Sequence, residues 1–290
     1  MRLRRSLLFV PATAPERIAK AAASPADAVV LDLEDAVVSA QKAKAREWVV
    51  AALRRVDFGG RERVVRVNPL DTAFGADDLA AVVPLAPDAL LLPKVRTLGD
   101  LVRVDRAVGR LEQDASLPLG GIRFHLLVET VAGVLGVETL AAGSTRNAAL
   151  LFGAGDLGLE TRARPVAGRL GELHALSQML LAARAAGLDA VDAPYLTLRD
   201  PEGLETHARF AVDLGFDGKA VIHPAQLEVV NRLFAPSRED VVEAERVLAA
   251  YQAAEGGGKG VFALDGRMID AVHMMVARQT LARARQAGSA

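Results

Sequence analysis

The sequence predicts an α/β protein whose strands close into a (β/α)₈ barrel. Eight short apolar runs recur along the chain, most of them near-continuous Val, Leu and Ile, which is the pattern of parallel strands buried on both faces. Helix-length amphipathic stretches separate most of these runs, and alternating β and α segments predict a parallel sheet with helices outside. The 290 residues, 51% of them hydrophobic, suffice for one large core, and barrels often reach this length as one domain. An open doubly wound sheet is the alternative arrangement of the same elements.

The runs fall at residues 6–11, 28–32, 63–68, 89–94, 123–129, 148–152, 190–193 and 219–223. The seventh, Ala190-Val-Asp-Ala193, is the weakest. Helical patterns occupy 15–23 after the first run, 40–55 after the second and 98–112 after the fourth. They continue at 134–142, 170–186, 201–214 and 224–233 after the fifth to eighth runs. Beyond Phe234, residues 237–255 read as a helix, the Gly-Gly-Gly-Lys-Gly run at 256–260 as a flexible break, 261–264 as a short strand and 267–285 as a final helix. The expected division is a catalytic barrel over residues 1–235 and a helical extension over 236–290. That extension reads either as a lid or subunit-exchange arm hinged at the glycines, or as a helix packed on the outside of the barrel.

Composition narrows the function. A formal net charge of −1 gives no support for nucleic acid or for a polybasic membrane contact. With no cysteine there is no disulfide, thiol nucleophile or zinc-thiolate site. The five histidines are scattered, with no i, i+4 pair to suggest a zinc helix. No apolar run approaches a membrane span. The start, Met1-Arg-Leu-Arg-Arg, faintly imitates a signal peptide, but the apolar run that follows is short and meets Pro11 and Glu16-Arg17 at once. A soluble cytoplasmic protein is expected.

In barrels of this kind, chemistry gathers at the carboxyl ends of the strands. Asp32, Glu34 and Asp35 end the second run, Arg66 and Asn68 the third, Lys94 the fourth, Glu129 the fifth, Asp156 follows the sixth and His223 ends the eighth. Each alone is more often a cap or an ion-pair partner; their coincidence over six strands points to a site. Glu129 and Asp156 belong to strands that are neighbours in a sequential barrel. Two carboxylates completed by water and substrate oxygens describe Mg²⁺, unless one of them pairs with Lys94 or Arg66. The guanidinium fork of Arg66 suits a substrate carboxylate. Lys94 could form a Schiff base, but beside a metal pair it reads as structural or electrostatic. Gly153-Ala-Gly155-Asp-Leu-Gly158 matches G-x-G-x-x-G, yet it sits at the sixth strand and carries an acid where pyrophosphate would approach. Its glycines, Gly155 at the centre, instead suit close approach of backbone N–H groups to a small anionic ligand. Arg162, Arg164 and Arg169 read first as solvated surface and second as partners for phosphates.

Several longer motifs follow one another in order: Ser6-Leu-Leu-Phe-Val-Pro11, Ala28-Val-Val-Leu-Asp-Leu-Glu-Asp-Ala-Val37, Arg66-Val-Asn68, Leu92-Pro-Lys94, Val128-Glu-Thr130, Phe152-Gly-Ala-Gly-Asp-Leu-Gly158 and Gly218-Lys-Ala-Val-Ile-His-Pro224. With them the chain, from about residue 6 to 282, resembles the citrate lyase beta subunit and the malyl-CoA and citramalyl-CoA lyases of the HpcH/HpaI aldolase group. The resemblance implies a metal-dependent TIM barrel of the phosphoenolpyruvate/pyruvate type with a C-terminal arm. It implies cleavage or formation of a C–C bond between a 2-oxo acid and an acyl-thioester enolate, the thioester being on CoA or on an acyl carrier protein. It makes Glu129 and Asp156 the Mg²⁺ ligands, with Glu129 also able to touch substrate. It makes Arg66 the group that binds the substrate carboxylate, and Asp270, in Gly266-Arg-Met-Ile-Asp270, the acid that reaches a neighbouring subunit's site. Glu34, Asp35 and Lys94 are supporting candidates. Trimers, or hexamers built from trimers, are expected. A thioesterase or malate-synthase-like activity, and a subunit of a carrier-protein-dependent complex, are the competing functions.

Overall fold

The structure is a computed structural model describing residues 2–164, 166–256 and 260–288. Eight parallel strands close in sequence order: β1 (Ser6–Pro11), β2 (Ala28–Asp32), β3 (Glu62–Arg66), β4 (Ala89–Leu92), β5 (Arg123–Val128), β6 (Asn147–Phe152), β7 (Asp189–Asp192) and β8 (Gly218–Val221). The closed barrel, not the open sheet, is the outcome. The helices between strands are α1 (Pro15–Ala22), α2 (Lys42–Arg55), α3 (Gly75–Val82), α4 (Leu98–Asp114), α5 (Val131–Leu135), α6 (Val137–Ala142), α7 (Ala154–Thr161), α8 (Leu173–Ala185) and α9 (Pro201–Leu214). After β8 comes α10 (Leu227–Leu233).

Alternation along the strands fills the lumen. Leu7, Val30, Val64, Leu91, Leu127 and Leu151 belong to one buried cluster, the packed interior that such a barrel requires. At the foot of the barrel Arg4 donates to both carboxylate oxygens of Glu62, each at 2.7 Å, and to Asp189 at 2.5 Å. The β1–β8 seam closes beside Gly218, where a Cβ would stand 1.8 Å from the Arg4 carbonyl oxygen. Only glycine lets the chain pass there.

Four local expectations are corrected. First, α3 was not anticipated, because its Gly-Ala-Asp-Asp start reads as loop. Second, the glycine-rich stretch after β6, which from its composition reads as a turn, is helical: α7 begins at Ala154, so Asp156 lies in a first helical turn. Third, the expected helix at 134–142 is broken at Gly136 into α5 and α6. Fourth, the expected helix at 267–285 begins instead with a strand.

That strand belongs to the second of two compact units. The first unit runs from Arg4 to Val230, and the second comprises Asn231 onward with the extreme N-terminus. In the second, α11 (Arg238–Gly256), the hairpin strands β9 (Phe262–Leu264) and β10 (Arg267–Ile269), and α12 (Ala271–Ala287) pack about Val247, Ile269 and Ala277. Asp265 and Gly266 join the strands, both with positive φ (50° and 76°), as a two-residue hairpin turn demands. The expected glycine hinge falls at 256–260, of which 257–259 lie outside the described residues. Among the described residues no helix is long and apolar enough to cross a membrane.

Candidate active site

Strand register assembles the site. Asp32 and Arg66 are opposite one another at the ends of β2 and β3. The Arg66 fork closes on Asp32, Nε to Oδ1 at 2.7 Å and Nη2 to Oδ2 at 2.6 Å. Its Nη1 lies 3.0 Å from Glu34 Oε2, and the guanidinium sits 5.5 Å from the centre of the Phe9 ring. The bidentate face expected to meet substrate is therefore taken by an internal carboxylate. Arg66 nonetheless lines the cavity described below. Burial works against the charge of Arg66, but Asp32 and Glu34 outweigh it and the guanidinium is held more firmly protonated than usual.

Val128 and Phe152 are in register, so the next residues, Glu129 and Gly153, face one another. A Cβ at Gly153 would stand 2.3 Å from Glu129 Cβ and 2.9 Å from its Oε2. Here the glycine is needed to give the acid room. Gly155 and Gly158 carry no such constraint, since a Cβ at either meets open space. Glu129 Oε1 accepts from the Lys94 backbone N–H at 2.8 Å. Burial first, and then the charges of Glu34 and Asp156, push its carboxyl up to about 8, with the Lys94 bond opposing.

Lys94 adopts a left-handed backbone (φ 53°), uncommon for a side chain of this length. That turn aims its N–H at Glu129 and its ammonium at the acids: Nζ bonds Glu34 Oε1 and lies 3.4 Å from both Asp35 Oδ1 and Asp156 Oδ2. Partial burial opposes its charge, but Glu34 and Asp35 raise the ammonium above its ordinary range. A lysine held this way is a cation and not an amine nucleophile, which rules against a Schiff base. Burial pushes Glu34 up, while Asp35, bonded to Glu34 and near Lys94 and Arg66, is held down despite its own burial.

A supporting layer escaped sequence reasoning. Buried Lys42 donates to the carbonyls of Leu33 (2.8 Å) and Glu34 (2.7 Å) and to Asn68 Oδ1 (2.7 Å). Asn68 in turn donates to Asp78 on α3 through its backbone N–H (3.0 Å) and Nδ2 (2.6 Å). The strand-end residue Asn68 thus braces the loop carrying Glu34. His223 is also not part of the site; it is a cap, its Nδ1 accepting from Ala225 N–H at 3.2 Å. Arg169 is neither solvated surface nor a free cation: its guanidinium clasps buried Asp192 at 2.8 and 3.0 Å.

Asp32, Asp35, Arg66, Glu129, Gly155 and Asp156 all line one cavity of about 390 Å³ at the carboxyl end of the barrel. The first turn of α7 supplies Ala154, Gly155 and Asp156 to its wall, and first-turn N–H groups have no partner within their helix. Asp156 Oδ2 is shielded from solvent yet accepts no hydrogen bond, its contact with Lys94 being ionic only. Hard, under-coordinated carboxylate oxygens of this kind suit a Mg²⁺-like cation. Among the described residues no three metal-ligating side chains form a ready-made cage, so such an ion would take its other ligands from water and substrate.

Asp270, in the second unit, is the N-cap of α12. Its Oδ1 accepts from Val272 N–H at 2.9 Å and His273 N–H at 3.3 Å, and lies 2.8 Å from His273 Nδ1. The bond to His273 lowers its pKa below the usual carboxylate range.

An acid-lined pocket at this end of a closed parallel barrel marks a barrel enzyme that handles small polar substrates. Comparison with known proteins sharpens this. A family model described as HpcH/HpaI aldolase/citrate lyase matches residues 5–224, and one described as a C–C bond lyase of the TIM-barrel fold matches residues 189–289. The chain belongs to the HpcH/HpaI aldolase/citrate lyase family and is a carbon–carbon lyase. It is 41% identical over 280 residues to a (3S)-malyl-CoA thioesterase of Cereibacter sphaeroides, covering 97% of this chain and 94% of that one. It is 36% identical over 269 residues to citrate lyase subunit beta of Leuconostoc mesenteroides, covering 93% and 89%. The crystal structure of the protein CitE from Mycobacterium tuberculosis with magnesium, acetoacetate and coenzyme A matches at a TM-score of 0.80 and 35% identity, over 99% of this chain and 100% of that one.

Proposed function

We propose that the chain is a Mg²⁺-dependent lyase that cleaves, or in reverse forms, the bond between the carbinol carbon and the α-carbon of a 3-hydroxyacyl thioester bearing a carboxylate on the carbinol carbon. The products are a 2-oxo acid and an acyl thioester. The observation that carries this reading is the convergence of Glu129, Asp156 and Arg66 on one cavity, with Asp156 Oδ2 left without a hydrogen bond.

In this reading Glu129 and Asp156 hold the ion, which when bound supplies positive charge to the oxygens of the 2-oxo acid. Arg66, fixed by Asp32, presents its remaining N–H groups to the substrate carboxylate. The backbone N–H groups around Gly155 add donors to the same wall. Lys94 balances Glu34, Asp35 and Asp156 and fixes Glu129 through its N–H. In cleavage the hydroxyl proton passes to water, the O–H pair forms the new carbonyl, and the C–C bonding pair moves onto the thioester α-carbon, which then takes a proton. Asp270 is the acid–base group for that last transfer. A carboxylate there can remove the proton in the condensing direction and return it in cleavage.

The thioester is carried by CoA or an acyl carrier protein, the protein works in the cytoplasm, and the assembly is a homotrimer. Exposed Met268, Val272, Met275 and Val276 in the second unit, each more than half accessible, supply an apolar surface suited to assembly. Hydrolysis of the same thioester is the second reading, favoured by the thioesterase among the relatives. Incubating purified protein and Mg²⁺ with malyl-, citramalyl- and citryl-CoA, and resolving products by mass spectrometry, separates them. A 2-oxo acid with acetyl-CoA is expected. Free CoA with the hydroxy acid favours the thioesterase, and no product from any of them sinks both readings.

A further inference from the structure

The helix that carries Asp156 is poorly anchored by packing. Of the 8 residues of α7, Leu157 alone is buried. Gly155 and Gly158 lie within the helix with open space where a Cβ would stand, and Leu159 is exposed. Two glycines in so short a helix weaken it further. Polar ties hold α7 instead. At its start the Gly153 N–H donates to the Val128 carbonyl at 3.0 Å. Near its far end Glu160, one turn beyond Asp156, accepts through Oε2 from the N–H of Val131. Val131 opens α5, so that N–H has no partner within its own helix, and a carboxylate is a strong acceptor for it. Glu129 stands two residues before Val131. The bond thus runs from the helix of one candidate metal ligand to the segment that follows the other. With the Gly153 tie alone, α7 could pivot about its first residue. Ties at both ends fix its axis, and with it the separation of Asp156 from Glu129.

We propose that Glu160 is a positioning residue for the metal pair: through the Val131 N–H it sets the spacing of the Glu129 and Asp156 carboxylates and so favours a small divalent cation over a large one. This rests on the metal-dependent lyase reading above and adds to it the residue that tunes which ion the pair accepts. Mg²⁺ demands near-ideal octahedral geometry, whereas Ca²⁺ tolerates looser and more variable arrangements. A pair whose spacing is no longer held therefore loses more affinity for Mg²⁺ than for Ca²⁺. Loss of a negative charge near the site, by contrast, weakens both divalent ions alike.

Calorimetric titration of the full chain with Mg²⁺ and, separately, with Ca²⁺ tests this. Glu160→Ala should lower Mg²⁺ affinity by about tenfold, the scale seen when support of a metal ligand is lost. It should also shift the Mg²⁺-to-Ca²⁺ affinity ratio toward Ca²⁺ by about threefold or more. Glu160→Gln keeps an acceptor for the Val131 N–H but not the charge, and its ratio should stay within about twofold of the parent. Because Glu160 is exposed, neither change should alter the melting of the metal-free protein. Unchanged Mg²⁺ affinity in Glu160→Ala, equal losses for the two ions, or a Gln variant that behaves as the Ala variant overturns the inference and leaves the lyase reading intact. A fall in the metal-free melting temperature in step with Mg²⁺ affinity marks a general loosening and overturns it too. Parent protein that binds neither ion removes the metal-dependent lyase reading, and this inference with it.

Discussion

At the scale of single residues, the site is held by pairings that strand register imposes. The carboxyl of Glu129, pushed up to about 8 by burial and neighbouring acids, is protonated at neutral pH in the metal-free protein. A metal needs the carboxylate, so binding must expel that proton. Calorimetry in buffers of different ionisation enthalpy should therefore show proton release on Mg²⁺ binding at pH 7, and affinity should rise toward pH 8. Asp156→Ala should abolish the binding signal while leaving the circular dichroism spectrum unchanged. Gly153→Ala tests the same ligand through the backbone. The new Cβ cannot coexist with Glu129 as placed, and Mg²⁺ affinity should drop by about tenfold or more, the scale seen when support of a metal ligand is lost. Wild-type affinity in that variant would mean Glu129 is not a ligand. Arg66→Lys loses the fork that grips Asp32, and kcat/KM should fall by about tenfold or more. Because Asp32 is buried at 2% exposure, the melting temperature should fall too, a loss that a purely substrate-facing arginine would not show.

Among the secondary-structure elements, the weakest-looking strand turns out to be secured by charge. β7 meets β8 in register only at Val191↔Gly218 and Asp192↔Lys219. Those last two residues are both fully buried, and Lys219 Nζ donates to Asp192 Oδ2 at 2.6 Å and to the Ala193 carbonyl, with His207 Nδ1 2.7 Å away. Burial brings Lys219 down to about 8 against the pull of Asp192. Burial opposes the charge of Asp192 as well, but Lys219, His207 and Arg169 hold it well below the usual carboxylate range. A depressed carboxyl contributes stability at neutral pH that is lost as pH falls through its folded-state value. Lys219→Met removes one partner of a buried pair, and equilibrium denaturation should show a loss of about 3–5 kcal/mol. A loss under about 1 kcal/mol would mean the cluster is incidental. Apolar patterning locates strands by what they bury, and Ala190-Val-Asp-Ala193 looked faint for this reason: Asp192 anchors it through ion pairs with Lys219 and Arg169. Similarly, the Asp-Gly pair at 265–266 was a legible hairpin signal that the helical periodicity after it obscured, and α3 was hidden by the two acids in its first turn.

For the whole molecule, the closed barrel and several residues that line the candidate cavity could be read from the chain, because strand ends with polar residues recur in a fixed rhythm. What could not be read was pairing: that Asp32 rather than substrate fills the Arg66 fork, or that Lys42, Asn68 and Asp78 brace the loop behind Glu34. Pairing depends on register between strands, which a single sequence does not carry. Assembly belongs to this scale as well. If Asp270 serves a neighbouring subunit, Asp270→Asn and Arg66→Ala chains, each inactive, should regain part of the activity when mixed and reassembled, since some sites would then hold both intact residues. Sedimentation velocity should find a species of about three 30.6 kDa chains. Absence of recovery in mixed oligomers of confirmed composition would place Asp270 in its own chain's chemistry or outside it.

The cavity of about 390 Å³ is of the size that takes a small polar acid. Recognition of the reacting end lies at the strand ends and the first turn of α7, and recognition of the thiol handle in whatever surrounds the opening. The two can evolve separately. A lineage could exchange a soluble cofactor for a protein-tethered arm by rewriting the outermost loops, leaving Arg66, Glu129 and Asp156 beneath unchanged.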